Sequence, residues 1–333
     1  MIRPDALRRG DRIAIVSPAT KVAPCWVEGA VAELERLGYR PELSPHVLGP
    51  ASGSFAASDA DRLDDLRCAL ADPGVKAILC ARGGYGCVHL LSDDLQRLVA
   101  DNPKWLIGFS DISALHALWQ IAGVESIHCS MAKQLTLFGL DPESEEGAAL
   151  PASEIPDAEG LEHIGFTTRL MLRLLADEVA PESATVEAAA AEGSRAGVAE
   201  GEMVGGNLAV LNGLAATPWD ILTPEYLRGK LLFLEDIGEK IYQVERMLTR
   251  LRLAGALDAA AGIVFGRFTE YSPDANHDSM EEMICRRLRE WGITKPIATR
   301  FPIGHTSYNV PIVEGRRMRL EVTPDATARL TYL

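Results

Sequence analysis

Short apolar runs alternate with amphipathic helical patterns over the first 130 residues. The runs predict strands at residues 12–17, 75–80, 105–108 and 126–129. Helical patterns lie between them, at residues 26–37, 60–71, 88–99 and 112–121. This order predicts an α/β fold with a doubly wound parallel sheet and right-handed crossovers. Ligands of such sheets bind beyond the carboxyl ends of the strands.

The alternation stops in an acidic segment at residues 140–165, which contains three prolines and little periodicity. We interpret it as a linker or an insertion over a cleft, and as a solvated loop rather than a working lid. A helix is expected from residue 166 to 175. The predicted organisation is an N-terminal domain at 1–139, the acidic segment, and a C-terminal domain at 166–333.

The second half has a mixed pattern. A strand at 195–204 is expected to run into a turn at Gly205 and Gly206, with a helix from 207 to 214. Further predicted elements are an apolar strand at 231–235, a helix at 241–253, strands at 262–265 and 296–299, and β-like alternation from 310 to 333. The second half is therefore predicted to contain both strands and helices.

Composition narrows the classes of function. The 333 residues carry a net charge of −14, which disfavours binding to nucleic acid polymers and anionic membranes. The six cysteines form no Cys-x-x-Cys pair, and neither an export signal nor a membrane span is recognisable. We therefore expect a cytoplasmic protein with reduced thiols. We expect no cofactor and no metal, because no cluster has metal-ligand spacing.

A serine stands at a predicted strand-to-helix turn. Residues 105–108 form the strand, and Ser110 and Asp111 follow before a helix. Such a turn exposes a serine hydroxyl, and the N–H groups of the helix start can stabilise an oxyanion. The alternative is that Ser110 or Asp111 only caps the helix.

Three further motifs carry candidate chemistry. The sequence Arg82-Gly83-Gly84-Tyr85-Gly86 follows a strand, so its backbone N–H groups could face a phosphate or an oxyanion, or it is only a tight turn. The strand at 231–235 ends in Glu235 and Asp236. His305 follows a glycine at the end of an apolar run and is a candidate general base. Together these residues supply the components of serine acyl-transfer chemistry.

The set of motifs resembles the LD-carboxypeptidase family of serine peptidases, which also contains the microcin C self-immunity peptidases. The matching stretches occur in the family's order, at residues 10–18, 81–86, 108–115, 205–208, 232–237 with Tyr242, and 303–305. The resemblance implies a flavodoxin-like N-terminal domain that carries the nucleophile and a smaller C-terminal β-rich domain. It also implies an active site at the domain interface and a homodimer.

Carried onto this sequence, the resemblance implies Ser110 as nucleophile, His305 as general base and Glu235 as the residue that orients it, with Asp236 as the rival to Glu235. We expect the backbone N–H groups of Gly84 and Asp111 to receive the oxyanion.

Three further residues are expected to bind substrate: Arg82, Tyr85 and Asn207. A surface salt bridge is the alternative role for Arg82. The implied substrate is a murein tetrapeptide that loses its terminal D-alanine. A peptidyl- or aminoacyl-nucleotide is the second candidate, with Trp219 or a residue of the acidic segment stacking on the base. A non-catalytic binding module on the same fold is a third reading.

Overall fold

The computed structural model describes residues 1–142, 144–178, 185–189, 193–325 and 327–333. The chain divides into two compact units. The first contains residues 1–178 and 307–312, and the second contains residues 179–306 and 313–333. The division therefore falls at Glu178, and the acidic segment at 140–165 lies within the first unit. The domain boundaries predicted above stay a prediction.

The first unit is built on a parallel sheet. Its strands are β1 (Arg12–Val16), β2 (Arg40–Leu43), β3 (Val75–Cys80), β4 (Trp105–Gly108) and β5 (Ser126–His128). Their order is β5–β4–β3–β1–β2, and β11 (Ile312–Glu314), which starts in this unit, continues the sheet beside β5. The order of β1 to β5 is that of flavodoxin-like sheets, which confirms the predicted fold class. The loops after β3, β4 and β5 consequently lie at the same sheet edge.

The described residues of the first unit form the helices α1 (Pro24–Arg36), α2 (Asp59–Ala71), α3 (Asp93–Asp101), α4 (Ser113–Ile121), α5 (Ala132–Leu137), α6 (Glu145–Ala148) and α7 (Ala158–Leu175). The helix predicted at 88–99 is wrong at its start. A 3-10 turn at Cys87–Leu90 precedes α3, because the Ser92 side chain caps α3 by accepting from the Leu95 N–H at 3.2 Å.

The acidic segment is more ordered than the solvated loop that we predicted. α7 begins at Ala158, eight residues before the expected start, since Asp157 caps it by accepting from the Gly160 N–H at 2.9 Å. Leu150 and Ile155 pack against a core cluster around Trp26. These apolar contacts attach the segment to the first unit.

The second unit contains a seven-stranded mixed sheet with the order β10–β9–β8–β7–β12–β13–β6. Its strands are β6 (Thr185–Ala189), β7 (Gly197–Asn207), β8 (Leu231–Ile237), β9 (Gly262–Thr269), β10 (Ile297–Ala298), β12 (Arg317–Val322) and β13 (Thr327–Tyr332). The helices are α8 (Leu208–Asn212), α9 (Pro224–Leu227), α10 (Ile241–Leu253), α11 (Ala256–Ala259) and α12 (Met280–Glu290). The strands β7 to β10 run parallel. The expected β-rich α/β unit is thus confirmed.

The turn predicted at Gly205 and Gly206 is wrong, because β7 continues through both glycines to Asn207. Their φ angles are 153° and 134°. A Cβ at Gly205 would collide with the carbonyl oxygen of Phe233 on β8. The glycines therefore serve a close approach of β7 to β8 rather than a chain reversal.

Candidate active site

Ser110 occupies a strained turn at the carboxyl end of β4. Its φ angle is +67°, a left-handed conformation that residues other than glycine rarely adopt. A 3-10 turn at Ser110–Ile112 follows, and α4 begins at Ser113. No side-chain capping bond occurs at the start of the 3-10 turn or of α4, so the helix-cap alternative is not observed. Strain of this kind is typical of functional sites.

The glycine turn after β3 packs directly against this serine. A Cβ built on Gly83 would lie 2.9 Å from Ser110 Cβ and 3.1 Å from Ser110 Oγ. A Cβ on Gly84 would collide with the Thr20 hydroxyl, and the φ angle of Gly84 is +112°. Thr20 Oγ1 also accepts the Tyr85 N–H at 3.1 Å. Gly83 thus brings the backbone of the turn after β3 against the Ser110 side chain, and Gly84 brings it against Thr20.

Asp111 connects the two turns. Its side chain is 3% exposed, and its Oδ2 accepts the Cys87 N–H at 2.9 Å. The backbone N–H groups of Gly84 and Asp111 have no acceptor among the residues that the structure describes. Both groups are therefore able to donate to an incoming oxygen.

His116 supports the turn from inside α4. Its Nε2 lies 2.9 Å from the Gly108 carbonyl oxygen, and its Nδ1 lies 2.7 Å from Ser126 Oγ. Burial lowers the pKa of His116 to about 3. The imidazole is therefore neutral, and Nε2–H donates to Gly108, because a carbonyl oxygen can only accept. The sequence signal for His116 is a titratable residue within an otherwise apolar stretch of α4.

In the second unit, Glu235 and His305 form a hydrogen-bonded pair. His305 Nδ1 lies 2.8 Å from Glu235 Oε2, and the Glu235 side chain is fully buried. Burial by itself lowers the pKa of His305, but the charge and hydrogen bond of Glu235 outweigh it, so that the pKa is raised. A buried carboxylate on Nδ1 leaves Nε2 to exchange a proton with a reacting group.

Two glycines make room for this pair. A Cβ on Gly304, whose φ angle is +118°, would lie 2.8 Å from Glu235 Oε2. A Cβ on Gly266 would lie 2.5 Å from the Ile303 carbonyl oxygen and 3.1 Å from Glu235 Cβ. The register between β8 and β9 also shifts between Leu234 and Asp236. The irregularity and the glycines together accommodate the Glu235 side chain beneath the histidine loop.

Asp236, the rival carboxylate, points to different partners. Its Oδ2 accepts the Ala209 N–H at 2.9 Å, and its Oδ1 accepts Asn207 Nδ2 at 3.1 Å and the Ile237 N–H at 2.8 Å. Burial, and then the neighbouring charge of Glu235, raises the pKa of Asp236 to about 7. Adjacent strand residues face opposite sides of a sheet, which explains why only Glu235 contacts His305.

The three predicted substrate-binding residues lie in different surroundings. Arg82 is exposed, and its Nη1 donates to the Lys21 carbonyl oxygen at 3.1 Å. Tyr85 is 54% exposed, and its hydroxyl lies 3.2 Å from His89 Nε2. Asn207 is buried, and its Oδ1 caps α8 by accepting the Val210 N–H at 3.1 Å. Their roles in substrate binding stay predictions.

Within the described ranges, no group of three or more His, Cys, Asp or Glu side chains is arranged to hold a metal ion. No helix in the same ranges has the length and apolar character needed to cross a membrane.

Family models match most of the chain. The LD-carboxypeptidase N-terminal domain matches residues 13–129, and the LD-carboxypeptidase C-terminal domain matches residues 200–320. The protein named "Probable murein peptide carboxypeptidase" in Bacillus subtilis strain 168 is 33% identical over 98% of this chain and 93% of its own length. The murein tetrapeptide carboxypeptidase of Pseudomonas aeruginosa is 31% identical over 92% of this chain and 94% of its own.

A more distant relative is the microcin C7 self-immunity protein MccF of Escherichia coli, 25% identical over 94% of this chain and 91% of its own. Among solved structures, the muramoyltetrapeptide carboxypeptidase from Oxalobacter formigenes matches with a TM-score of 0.76. The two chains are 27% identical, and the match covers 96% of this chain and 98% of that one. The chain therefore belongs to the LD-carboxypeptidase family, and it is a peptidase of the serine type.

Proposed function

We propose that this peptidase hydrolyses the L-D amide bond of a cytoplasmic murein tetrapeptide and releases its terminal D-alanine, as in cell-wall recycling. The observation that carries the proposal is the 2.8 Å hydrogen bond between the buried Glu235 and His305. The strained conformation of Ser110 supports it. The names of two relatives, a murein peptide and a murein tetrapeptide carboxypeptidase, support the choice of substrate.

The proposed mechanism uses Ser110, His305 and Glu235 as a triad. Ser110 Oγ attacks the scissile carbonyl carbon while His305 Nε2 takes the hydroxyl proton. The C–N bond breaks, and His305 returns that proton to the leaving amine of D-alanine. Water, activated by the same imidazole, then hydrolyses the acyl-enzyme. Glu235 holds the tautomer throughout and stabilises the imidazolium.

The oxyanion would be received by the N–H groups of Gly84 and Asp111. Loss of one such donor typically lowers kcat by about 10²–10³-fold. In this proposal Arg82, Tyr85 and Asn207 contribute to substrate binding.

The test is mass-spectrometric. Wild-type and Ser110→Ala proteins are incubated with L-Ala-γ-D-Glu-meso-diaminopimelate-D-Ala, and the tripeptide and free D-alanine are followed. Release by the wild type alone is the expected result. Near-wild-type turnover by Ser110→Ala would refute the nucleophile, and labelling by a fluorophosphonate probe, expected only with Ser110 present, checks it independently.

Substitution of each carboxylate in turn tests whether Glu235 or Asp236 orients His305. Glu235→Ala should abolish turnover, because it removes the partner of His305. Asp236→Asn preserves the size of the side chain and should retain most of the activity. The reverse outcome would assign the orienting role to Asp236.

A second candidate substrate is an aminoacyl-nucleotide, favoured by an aromatic cluster in the first unit. The rings of His163 and Tyr308 stack at 4.6 Å, and Phe166 is 46% exposed beside Tyr308. Exposed aromatic rings can stack on a nucleobase. The kinship with MccF points the same way. Cleavage of an aminoacyl-sulfamoyl-adenosine that is lost in Phe166→Ala, without D-alanine release from the tetrapeptide, would favour this substrate.

A further inference from the structure

A small cavity in the first unit lies next to the turn that carries Ser110 and is lined by two cationic side chains. Its volume is about 240 Å³. Its lining includes Arg82 from the loop after β3, Lys133 from α5, Trp26 from α1, and Glu154 from the acidic segment. We infer that this cavity is the subsite for the free C-terminal carboxylate of the peptide substrate, held by Arg82 and Lys133. The inference rests on the proposed peptidase function and assigns one part of its substrate.

The position of the cavity follows from the sheet. β4 lies between β3 and β5, so the Ser110 turn is flanked by the loop that carries Arg82 and by the loop that leads into α5. Arg82 directly precedes Gly83, which packs against Ser110. The cavity lining that contains Ala81 and Arg82 is therefore continuous along the chain with the glycine that contacts Ser110.

The charged side chains that line the cavity favour the binding of an anion. Two cations and one carboxylate give the lining a net charge of +1 in a chain of net charge −14. Lys133 Nζ lies 2.8 Å from Glu154 Oε2 and 5.1 Å from the centre of the Trp26 ring. Arg82 uses one N–H on the Lys21 carbonyl oxygen, and its remaining N–H groups suit the two oxygens of a carboxylate.

The size of the cavity restricts its occupant. Pockets that bury a drug-sized ligand usually measure about 300–1,000 Å³. A cavity of about 240 Å³ takes one small residue with its carboxylate. The substrate class is thus a peptide with a free, small C-terminal residue, and a C-terminal amide is a poor substrate.

The test compares a tetrapeptide acid with its C-terminal amide. We expect wild type to prefer the acid in kcat/KM, and Arg82→Gln and Lys133→Met each to lower that preference by roughly tenfold, the value of one charge-assisted hydrogen bond. Lys133→Met keeps the apolar stem on Trp26. Glu154→Gln should increase the preference, because it removes the competing anion. An increase in the preference for the acid is not expected from a variant that only disrupts the fold.

Matched control variants replace cationic side chains elsewhere in the same unit. Lys76→Ala acts near the other end of β3, where Lys76 pairs with Asp5, and Arg97→Ala acts on α3. Both should keep the preference for the acid. Unchanged preference in the Arg82 and Lys133 variants would overturn the inference even if the wild type releases D-alanine.

A binding measurement tests this inference independently of the proposed function. Calorimetry with Ser110→Ala protein measures Kd for the acid and the amide without turnover. Tighter binding of the acid that depends on Arg82 and Lys133 supports the subsite even if the wild type releases no D-alanine. Equal binding of acid and amide, or no binding of either, overturns it.

Discussion

Asp236 should make the stability of the protein depend on pH. Its side chain is 2% exposed, and burial together with the charge of Glu235 raises its pKa to about 7 from the usual 3.8. The folded state therefore binds this proton more tightly than the unfolded state does. The resulting stabilisation is complete below pH 3.8 and is lost as the pH rises through about 7.

The magnitude follows from the shift. Each pKa unit corresponds to about 1.4 kcal/mol, so a shift of roughly three units is worth about 4 kcal/mol in total. Between pH 5 and pH 8 the contribution to the free energy of unfolding falls by about 2.6 kcal/mol. Asp236→Asn has no ionisable group at this position and should lack this component.

The assay is urea unfolding followed by circular dichroism, with wild-type and Asp236→Asn proteins compared from pH 5 to pH 8. The difference in the free energy of unfolding should change by about 2.6 kcal/mol over this range. Asp72→Asn is the control without a pH-dependent component, because the hydrogen bond from Arg12 lowers the pKa of Asp72 below 3.8 and the carboxyl stays ionised in both states from pH 5 to pH 8. A wild-type to Asp236→Asn difference that stays constant with pH would refute the reasoning.

Three further predictions concern the site and the assembly. Glu235→Gln should shift the acidic limb of the kcat/KM profile to lower pH, because it removes the charge that raises the pKa of His305; an unmoved limb contradicts this. Gly304→Ala should lower kcat by at least about 100-fold by displacing Glu235, whereas Gly238→Ala, with φ +77° but no neighbour within 4 Å, should not. Sedimentation should show the expected homodimer, and a monomer at micromolar concentration would contradict it.

Much of the fold was predictable from local pattern. The strand β3 matches its predicted bounds, and the strand–turn–helix around Ser110 was correctly placed, because apolar runs and helical periodicity are local properties. β2 (Arg40–Leu43) and α12 (Met280–Glu290) were missed. β2 is a mostly exposed strand without an apolar run, and α12 is strongly charged. Their signal comes from the elements they pack against.

The sequence by itself determined most of the order of strands and helices, the two acidic residues near the end of β8, and the glycine before His305. Only the tertiary structure decided which carboxylate pairs with His305, because that choice depends on the register of β8 with β9 and on a loop 70 residues further along the chain. The same holds for the cavity beside Arg82, whose lining comes from α1, α5 and the acidic segment. Such contacts join residues that are distant in sequence, so no local pattern specifies them.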